Sequence, residues 1–255
     1  MRSSDLGRRQ LRGWRWPRPT DRRADAVVRV PRVWRLPILA GAAIAAYVLG
    51  VRPWHRRWGA NLEEVARVLP GDELVAEPVT SATHAITIRA PAAAIWPWLV
   101  QMGQNRGGLY SYQWLENLAG CQMRNTDRII PELQHLQAGD LVRLGPDPYP
   151  AYTVWSIQPN RALVLRTAEP HSGRAVEPAD LASGAWLGTW AFVLDQRDDQ
   201  TTRLAVRLRN QWRPSPVNFL VGLVVTEPAH FVMERKMLKT IKQLVERPRR
   251  DAISV

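Results

Sequence analysis

The sequence is poor in cysteine, with Cys121 as the only one among 255 residues. A single thiol excludes a disulfide within the chain and any metal site built from several cysteines. A catalytic thiol would need a neighbouring base to activate it, and none stands beside Cys121 in the sequence. We therefore interpret Cys121 as a small buried apolar residue.

The sequence also lacks the short motifs of common catalytic and nucleotide-binding sites. No P-loop, GxGxxG, GxSxG or HExxH motif occurs,. The five histidines are scattered, and no two of them have the i, i+4 spacing of paired metal ligands on a helix,. These absences predict a protein without a metal or cofactor and without an evident catalytic constellation.

Acidic residues are scarce at the N-terminus. Residues 1–57 contain 14 arginines against three aspartates, a net +11, whereas the remaining residues carry only +1. A nucleic-acid-binding domain would carry its basic footprint on the folded part, so no nucleic-acid partner is expected. Residues 1–32, which are rich in arginine and proline, are predicted to be a disordered tail attracted to anionic lipid.

No apolar run reaches the roughly 20 residues of a typical membrane span. Residues 36–51 nevertheless read "LPILAGAAIAAYVLGV" without a charge, and they are bracketed by Trp34 and Trp54 as at a membrane interface,. The pattern favours a transmembrane signal anchor over residues 33–54. A cleaved signal peptide fits less well because the basic stretch before it is too long, and a helix lying in the interface is the other alternative. The positive-inside rule places the N-terminus in the cytoplasm and the folded domain outside, as a single-pass membrane protein.

Residues 82–247 have the pattern of an α+β domain, between a linker over residues 55–81 and a tail over residues 248–255. Short helices are predicted after Pro91 and around residues 112–118, and a long amphipathic helix over residues 227–247,. Strand patterns occur around residues 83–89, 152–157, 162–167, 186–194 and 203–210,.

In the last strand pattern, Leu204, Val206 and Leu208 alternate with Arg203, Arg207 and Arg209. Such alternation predicts an antiparallel sheet with one packed face and one face in solvent. A curved antiparallel sheet wrapped around a long terminal helix leaves room for a ligand cavity between the two.

Three segments resemble a known family: "RPWHRRWGANLEEVARVLPGDELV" (52–75), "AITIRAPAAAIWPWLVQMGQNRGGLYSYQWLEN" (85–117) and "DRIIPELQHLQAGDLVRL" (127–144). They are similar to a bacterial, membrane-associated subgroup of the SRPBCC or START-like superfamily, which includes polyketide cyclases and lipid-transfer domains. The resemblance covers roughly residues 52–246. It implies the helix-grip fold and binding of a hydrophobic small molecule or lipid, with turnover in only some members.

The candidate site lies in the stretch "QMGQNRGGLYSYQWLENLAGC", residues 101–121, and on the later strands and terminal helix. These residues are expected to line the cavity, with glycines turning the chain and aromatic side chains facing inward. The expected ligand-binding residues are Trp98, Met102, Tyr110, Tyr112, Trp114, Asn117, Arg128, Trp186, Trp190, Met233 and Met237.

Two alternatives to simple binding remain at this stage. In a cyclase- or aromatase-like enzyme, Glu116 would act as a general acid or base beside Tyr110 or Tyr112. The structural interpretation, that Glu116 and Arg128 pair with each other or cap helices, is favoured. In a non-enzymatic membrane assembly protein, the basic tail and the apolar run at residues 217–225 would hold partners. That run is too short to span a bilayer and would be a cavity lid, a core segment or a patch dipping into the membrane.

Overall fold

A computed structural model describes residues 32–213 and 215–247. The chain divides into two compact units, residues 1–44 and 45–255. The predicted disordered tail lies outside the described residues apart from Arg32, and the predicted tail over residues 248–255 lies outside them entirely.

Within the first unit, the described residues belong to helix α1, Arg32–Ala46. Its side chains from Pro37 to Ile44 are exposed. The helical conformation continues in the second unit as a π-helical turn, Tyr47–Val51, and helix α2, Arg52–His55. The stretch Pro37–His55 is long and apolar enough to cross a membrane, and so is Pro216–Glu246. A helix is therefore present where the sequence predicts one.

The second unit is α+β. Its sheet has the order β1-β6-β5-β4-β3-β2, and all neighbouring strands are antiparallel. The strands are β1 (Thr80–Ile88), β2 (Leu141–Arg143), β3 (Ala151–Gln158), β4 (Ala162–Ala168), β5 (Trp186–Asp198) and β6 (Thr201–Trp212). The helices after α2 are α3 (Leu62–Ala66), α4 (Ala92–Val100), α5 (Gln113–Leu118), α6 (Pro216–Val221) and α7 (Glu227–Glu246).

The core fills the space between one face of the sheet and helices α4 and α7. Ile95 of α4 and Ile241 of α7 are fully buried against Leu165, Phe192 and Val206 of the sheet. Helix α7 runs for 20 residues because its apolar side chains recur at helical spacing,. This arrangement fits the helix-grip fold that the sequence predicts.

The predicted linker over residues 55–81 is folded. Helix α3 begins with a capping box: the Asn61 side chain accepts from the Glu64 backbone N–H at 2.7 Å, and the Glu64 carboxylate accepts from the Asn61 N–H at 2.9 Å,. A 3-10 helix, Asp72–Val75, follows and buries Val75. These elements lie against the face of the sheet that is opposite α7.

That face of the sheet was expected to be in solvent, and this expectation is wrong. Arg203, Arg207 and Arg209, here called the arginine row, are covered by residues 59–76. Alternation along β6 predicts which side chains share a face, but it does not show what covers that face. The arginine row is the attachment surface for a segment that precedes β1.

Arg207 makes the densest set of bonds in this row and is almost wholly buried. Its guanidinium donates to Asp72 Oδ2 at 2.6 Å and to Thr83 Oγ1 at 2.9 Å. It also donates to three carbonyl oxygens within residues 64–67, at 2.7 to 2.9 Å. Arginine suits this position because its planar fork carries five donors.

Candidate functional site

A partly open cavity of about 480 Å³ lies between the sheet and the first turns of α7. Its sheet side is formed by the start of β1, the start of β3 and β5, and the end of β6. Its helix side is formed by α6, the following π-helical turn Gly222–Thr226, and the first two turns of α7. The predicted cavity beneath the terminal helix is therefore present, at the N-terminal end of that helix.

Large apolar side chains form most of the cavity wall. Tyr152, Trp186, Leu208, Trp212 and Phe231 all line it. The rings of Tyr152 and Trp186 meet edge to face, with their centroids 5.9 Å apart. Rings held in this way give a rigid apolar surface that suits a hydrophobic ligand.

The rim of the cavity is held by charged and polar contacts between α2 and the terminal helix. Arg52 donates to both carboxylate oxygens of Glu227, each at 2.8 Å. The Tyr47 hydroxyl donates to the Leu223 carbonyl at 3.1 Å and is 2.8 Å from His55 Nε2. Two-bond arginine–carboxylate pairs fix orientation as well as distance, so α2 is part of the cavity structure.

A buried carboxylate lies beneath the cavity. Glu234 is 2% exposed and holds three partners. Trp190 Nε1 donates to Oε1 at 3.0 Å, while His84 Nδ1 and His230 Nε2 lie 2.8 and 2.9 Å from Oε2. His84 and His230 also line the cavity, so one layer of side chains separates the carboxylate from the cavity.

The surroundings of this carboxylate favour an ion pair with His84. Burial acts to raise the pKa of Glu234, but its interactions with His230 and His84 outweigh burial and hold the pKa well below its ordinary value. Burial likewise acts to lower the pKa of His84, but Glu234 and the bond to the His55 carbonyl leave that pKa raised. Glu234 is therefore a carboxylate and His84 an imidazolium.

One of the predicted ligand-binding residues, Trp186, lines this cavity. Its indole N–H donates to Asn210 Oδ1 at 3.1 Å, and Asn210 is a lining residue too. Trp190 lies just below, with its N–H on Glu234. Both tryptophans were expected to bind the ligand, but only Trp186 lines the cavity, and Trp190 belongs to the buried core.

Most of the other predicted residues lie in the core or on the surface. Trp98, Met102, Tyr110 and Met237 are buried in the main core, and Met233 is half-buried. Tyr112, Trp114, Asn117 and Arg128 are exposed, Trp114 at 67%. The set was expected to share one wall, and the structure does not bring it together.

Glu116 lies apart from the cavity. It is buried, and its Oε1 accepts a hydrogen bond from the Ser111 hydroxyl. Burial raises its pKa, and the Ser111 bond opposes that shift. Its hydrogen bond goes to a serine of the preceding loop rather than to Arg128, Tyr110 or Tyr112. Glu116 is therefore not among the residues that line this cavity.

The first half of the stretch, residues 101–111, is a packed loop around Gln101, and α5 follows it. The Gln101 amide N–H donates to the Tyr110 hydroxyl at 2.9 Å and to the Arg128 carbonyl at 3.0 Å, and its oxygen accepts from the Ile130 N–H. A Cβ at Gly107 would stand 2.7 Å from the Tyr110 hydroxyl. Packing around one buried glutamine thus explains why glycine occurs here.

Sequence reasoning missed His84, His230 and Glu234. A signal for Glu234 was available: it follows Phe231 by three residues and precedes Leu238 by four, so it lies on the inward stripe of α7,. A charged residue on such a stripe is almost never fully buried unless it is paired. No comparable local signal marks His84, because its partner is 150 residues away.

No family model matches the sequence, and no curated protein matches it. Some solved structures have a similar backbone. One is a Mesorhizobium loti protein with 14% sequence identity and a TM-score of 0.38, and the match covers 66% of this chain and 98% of that one. A truncated norcoclaurine synthase from Thalictrum flavum has 15% identity, 66% and 94% coverage, and a TM-score of 0.38. DynU16, from the dynemicin biosynthetic locus, has 11% identity, 65% and 48% coverage, and a TM-score of 0.36. Likenesses of this degree assign neither a ligand nor an activity.

Proposed function

We propose that this protein binds a hydrophobic small molecule or lipid in the cavity between its sheet and α7, and that a helix over residues 33–54 tethers it to a membrane. The cavity is the observation that supports ligand binding. Its volume of about 480 Å³ falls within the roughly 300–1,000 Å³ of typical ligand pockets. The helix-grip arrangement supports placing the chain in the SRPBCC or START-like superfamily.

The lining supports a mainly apolar ligand with a small polar group. Asn210, Asn218 and Thr226 stand among the aromatic and aliphatic side chains of the wall. A few polar groups in an apolar pocket orient a ligand and contribute specificity. We therefore expect the ligand to place its polar group toward these residues and its apolar body against Trp186 and Phe231.

Filling the cavity should abolish binding. Ala82 lines the cavity from β1, and Ala82→Phe would place a ring in it. We expect the Kd for a neutral fluorescent probe, 1-aminoanthracene, to rise at least about tenfold, which corresponds to about 1.4 kcal/mol. The measurement is a fluorescence titration of the full-length protein in lipid nanodiscs.

The control for this titration is Ala94→Phe, because Ala94 is exposed on α4 and does not line the cavity. It should bind the probe as the unaltered protein does. Equal affinity for the probe in all three proteins, or no saturable binding in the unaltered one, would contradict the proposed site.

Exposed apolar side chains support the membrane half of the proposal. Leu49 is 79% exposed on the helix that would span the bilayer. Of the three explanations for residues 217–225, a core segment is excluded, since Val217, Leu220 and Val224 are exposed. We infer that this run dips into the bilayer and forms the cavity entrance, because Val221, which belongs to the same run, lines the cavity.

The orientation can be measured with thiol chemistry, since Cys121 is the only cysteine. In a Cys121→Ala background, Ser172→Cys adds a thiol at an exposed position of the domain. We expect a membrane-impermeant maleimide to label it in intact cells, and the protein to stay in the membrane after alkaline carbonate extraction.

A cysteine in the basic tail, Ser4→Cys, is the control and should react only after the cells are permeabilised. The reverse labelling pattern would place the domain in the cytoplasm. Release of the protein by carbonate would indicate that the helix lies on the membrane surface and does not span the bilayer.

A further inference from the structure

We infer that His230 is a general base at the floor of the cavity, with Nδ1 as the atom that accepts a proton from the ligand and Glu234 and His84 as its positioning residues. This inference rests on the proposed ligand cavity and extends it from binding to proton transfer. The ligand class is an apolar molecule with an acidic proton, either a phenol or a carbon acid next to an electron-withdrawing group.

The proton positions follow from the hydrogen bonds around Glu234. His84 Nε2 is 2.7 Å from the His55 carbonyl oxygen, which can only accept, so Nε2 carries a hydrogen. His84 Nδ1 faces the Glu234 carboxylate at 2.8 Å and donates to it. Both nitrogens of His84 are thus donors, and this residue has no lone pair to offer a ligand.

The same carboxylate fixes the tautomer of His230. Glu234 Oε2 lies 2.9 Å from His230 Nε2, and a carboxylate only accepts, so Nε2 carries the hydrogen. In a neutral imidazole the other nitrogen, Nδ1, is then the acceptor. A carboxylate that holds the opposite nitrogen also stabilises the imidazolium that forms when Nδ1 takes a proton.

The cavity gives Nδ1 access to a ligand. The His230 side chain is 26% exposed and lines the cavity, and its ring stands edge to face against Trp190, with centroids 6.0 Å apart. Within residues 32–213 and 215–247, Nδ1 has no hydrogen-bond partner in the protein. The ring is therefore held on one side and open to the cavity on the other.

Two other titratable groups of the cavity wall are already engaged. Glu227 is clamped by Arg52 through two bonds, and His55 Nε2 bonds the Tyr47 hydroxyl. The charged and titratable groups that line the cavity together with His230 are Glu227 from its own helix, His84 from β1, His55 and Arg56 from the α2 region, and Tyr152 from β3, and Glu234 bonds His230 from below.

The proposed step needs no co-reactant. His230 Nδ1 takes the proton of an X–H group, the X–H electron pair stays on the ligand, and the new imidazolium is paired with Glu234. If the proton returns to the same ligand atom, the result is hydrogen exchange. If it returns to another atom of the ligand, the product is an isomer of the ligand. Nothing is oxidised or reduced.

Nuclear magnetic resonance tests the tautomer directly. In full-length protein with nitrogen-labelled histidine in nanodiscs, the signals of His230 are assigned by their loss in His230→Ala. The neutral ring of His230 should carry its hydrogen on Nε2 and none on Nδ1,. A neutral ring with its hydrogen on Nδ1 would overturn the inference.

The general-base role of His230 can be tested by measuring reaction rates with nitrobenzisoxazole as the substrate. Removal of its ring C–H proton forms a nitrile as the N–O bond breaks and the oxygen becomes a phenolate, which is followed by absorbance. We expect His230→Ala to lower kcat/KM by roughly a hundredfold, the lower end of what a positioned base contributes. Glu234→Gln should lower it less and move the pH profile, because it removes the charge that positions and stabilises the ring.

The control is His171→Ala, because His171 is on the surface with its side chain 93% exposed, and its rate should equal that of the unaltered protein. Equal rates in the unaltered and His230→Ala proteins would overturn the general base. If the rates were equal but 1-aminoanthracene still bound to the unaltered protein, the general base would be wrong and the proposed binding function would remain. If 1-aminoanthracene did not bind to the unaltered protein, the proposed binding function would be wrong as well.

Discussion

Replacing Glu234 with alanine is expected to lower the free energy of unfolding by about 3–5 kcal/mol, the usual cost of removing one partner from a buried ion pair. Glu234 is 2% exposed and accepts from Trp190, His84 and His230. Without it, the His84 imidazolium is buried without its counter-charge, and the Trp190 N–H loses its acceptor. Chemical denaturation followed by tryptophan fluorescence measures the change.

Glu169→Ala is the matched control for this measurement. Glu169 pairs with Arg174, and both side chains are almost half exposed, so its loss should cost far less than the loss of Glu234. If both variants lost the same small amount, Glu234 would not be a structural centre of the domain.

The pair of Glu234 and His84 should also shape the pH dependence of stability. The pKa of Glu234 is lowered on folding, so its contribution is present above its unfolded pKa of about 4.3 and is lost as the pH falls below it. The pKa of His84 is raised, so its contribution is present below about 6.5 and is lost as the pH rises through the folded pKa. The two contributions coincide between about pH 4.5 and 6.5, so Glu234→Ala should lower stability most within that window and weaken the pH dependence of stability on either side of it,.

Arg207→Ala should have a comparably large effect, a loss of about 3–5 kcal/mol. It would leave Asp72 without its nearest cation and three carbonyl oxygens within residues 64–67 without their donor. We expect the loss to appear first as faster hydrogen exchange in residues 62–75, because that segment depends on the arginine row. Hydrogen exchange with mass spectrometry separates this local opening from global unfolding.

The control on the same sheet is Arg197→Ala, whose side chain is 54% exposed and pairs with Asp195. It should cost less than about 1 kcal/mol and leave exchange in residues 62–75 unchanged. If Arg207→Ala behaved in the same way, residues 59–76 would be held by their own apolar contacts instead.

The sequence predicts the fold well where a pattern is local and periodic. The alternation in β5 and β6 and the helical spacing in α7 place those elements within a few residues of their observed bounds. The cover over the arginine row was missed because a bond such as Arg207 to Asp72 joins residues 135 positions apart. Long-range hydrogen bonds of this kind produce no periodic pattern in the sequence.

The candidate site was less predictable than the fold. Aromatic residues such as Tyr110 and Trp114 look alike in the sequence, although one is fully buried and the other exposed. An aromatic side chain packs equally well in the core and on a cavity wall. The positions of aromatic residues in the sequence therefore could not locate the cavity. The stripe containing Glu234 did hold the needed information, since a carboxylate among inward-facing residues requires a partner.

The sheet order has a consequence for how the chain is made. Thr83 of β1 bonds Arg207 of β6, 124 residues later, and His84 meets Glu234 after 150 residues. At roughly 5–20 residues per second of synthesis, His84 would wait on the order of 8–30 s for its carboxylate. Meanwhile residues 37–55 would already have left the ribosome. If this segment is the anchor proposed above, a nascent chain whose cavity does not yet exist would deliver it to the membrane.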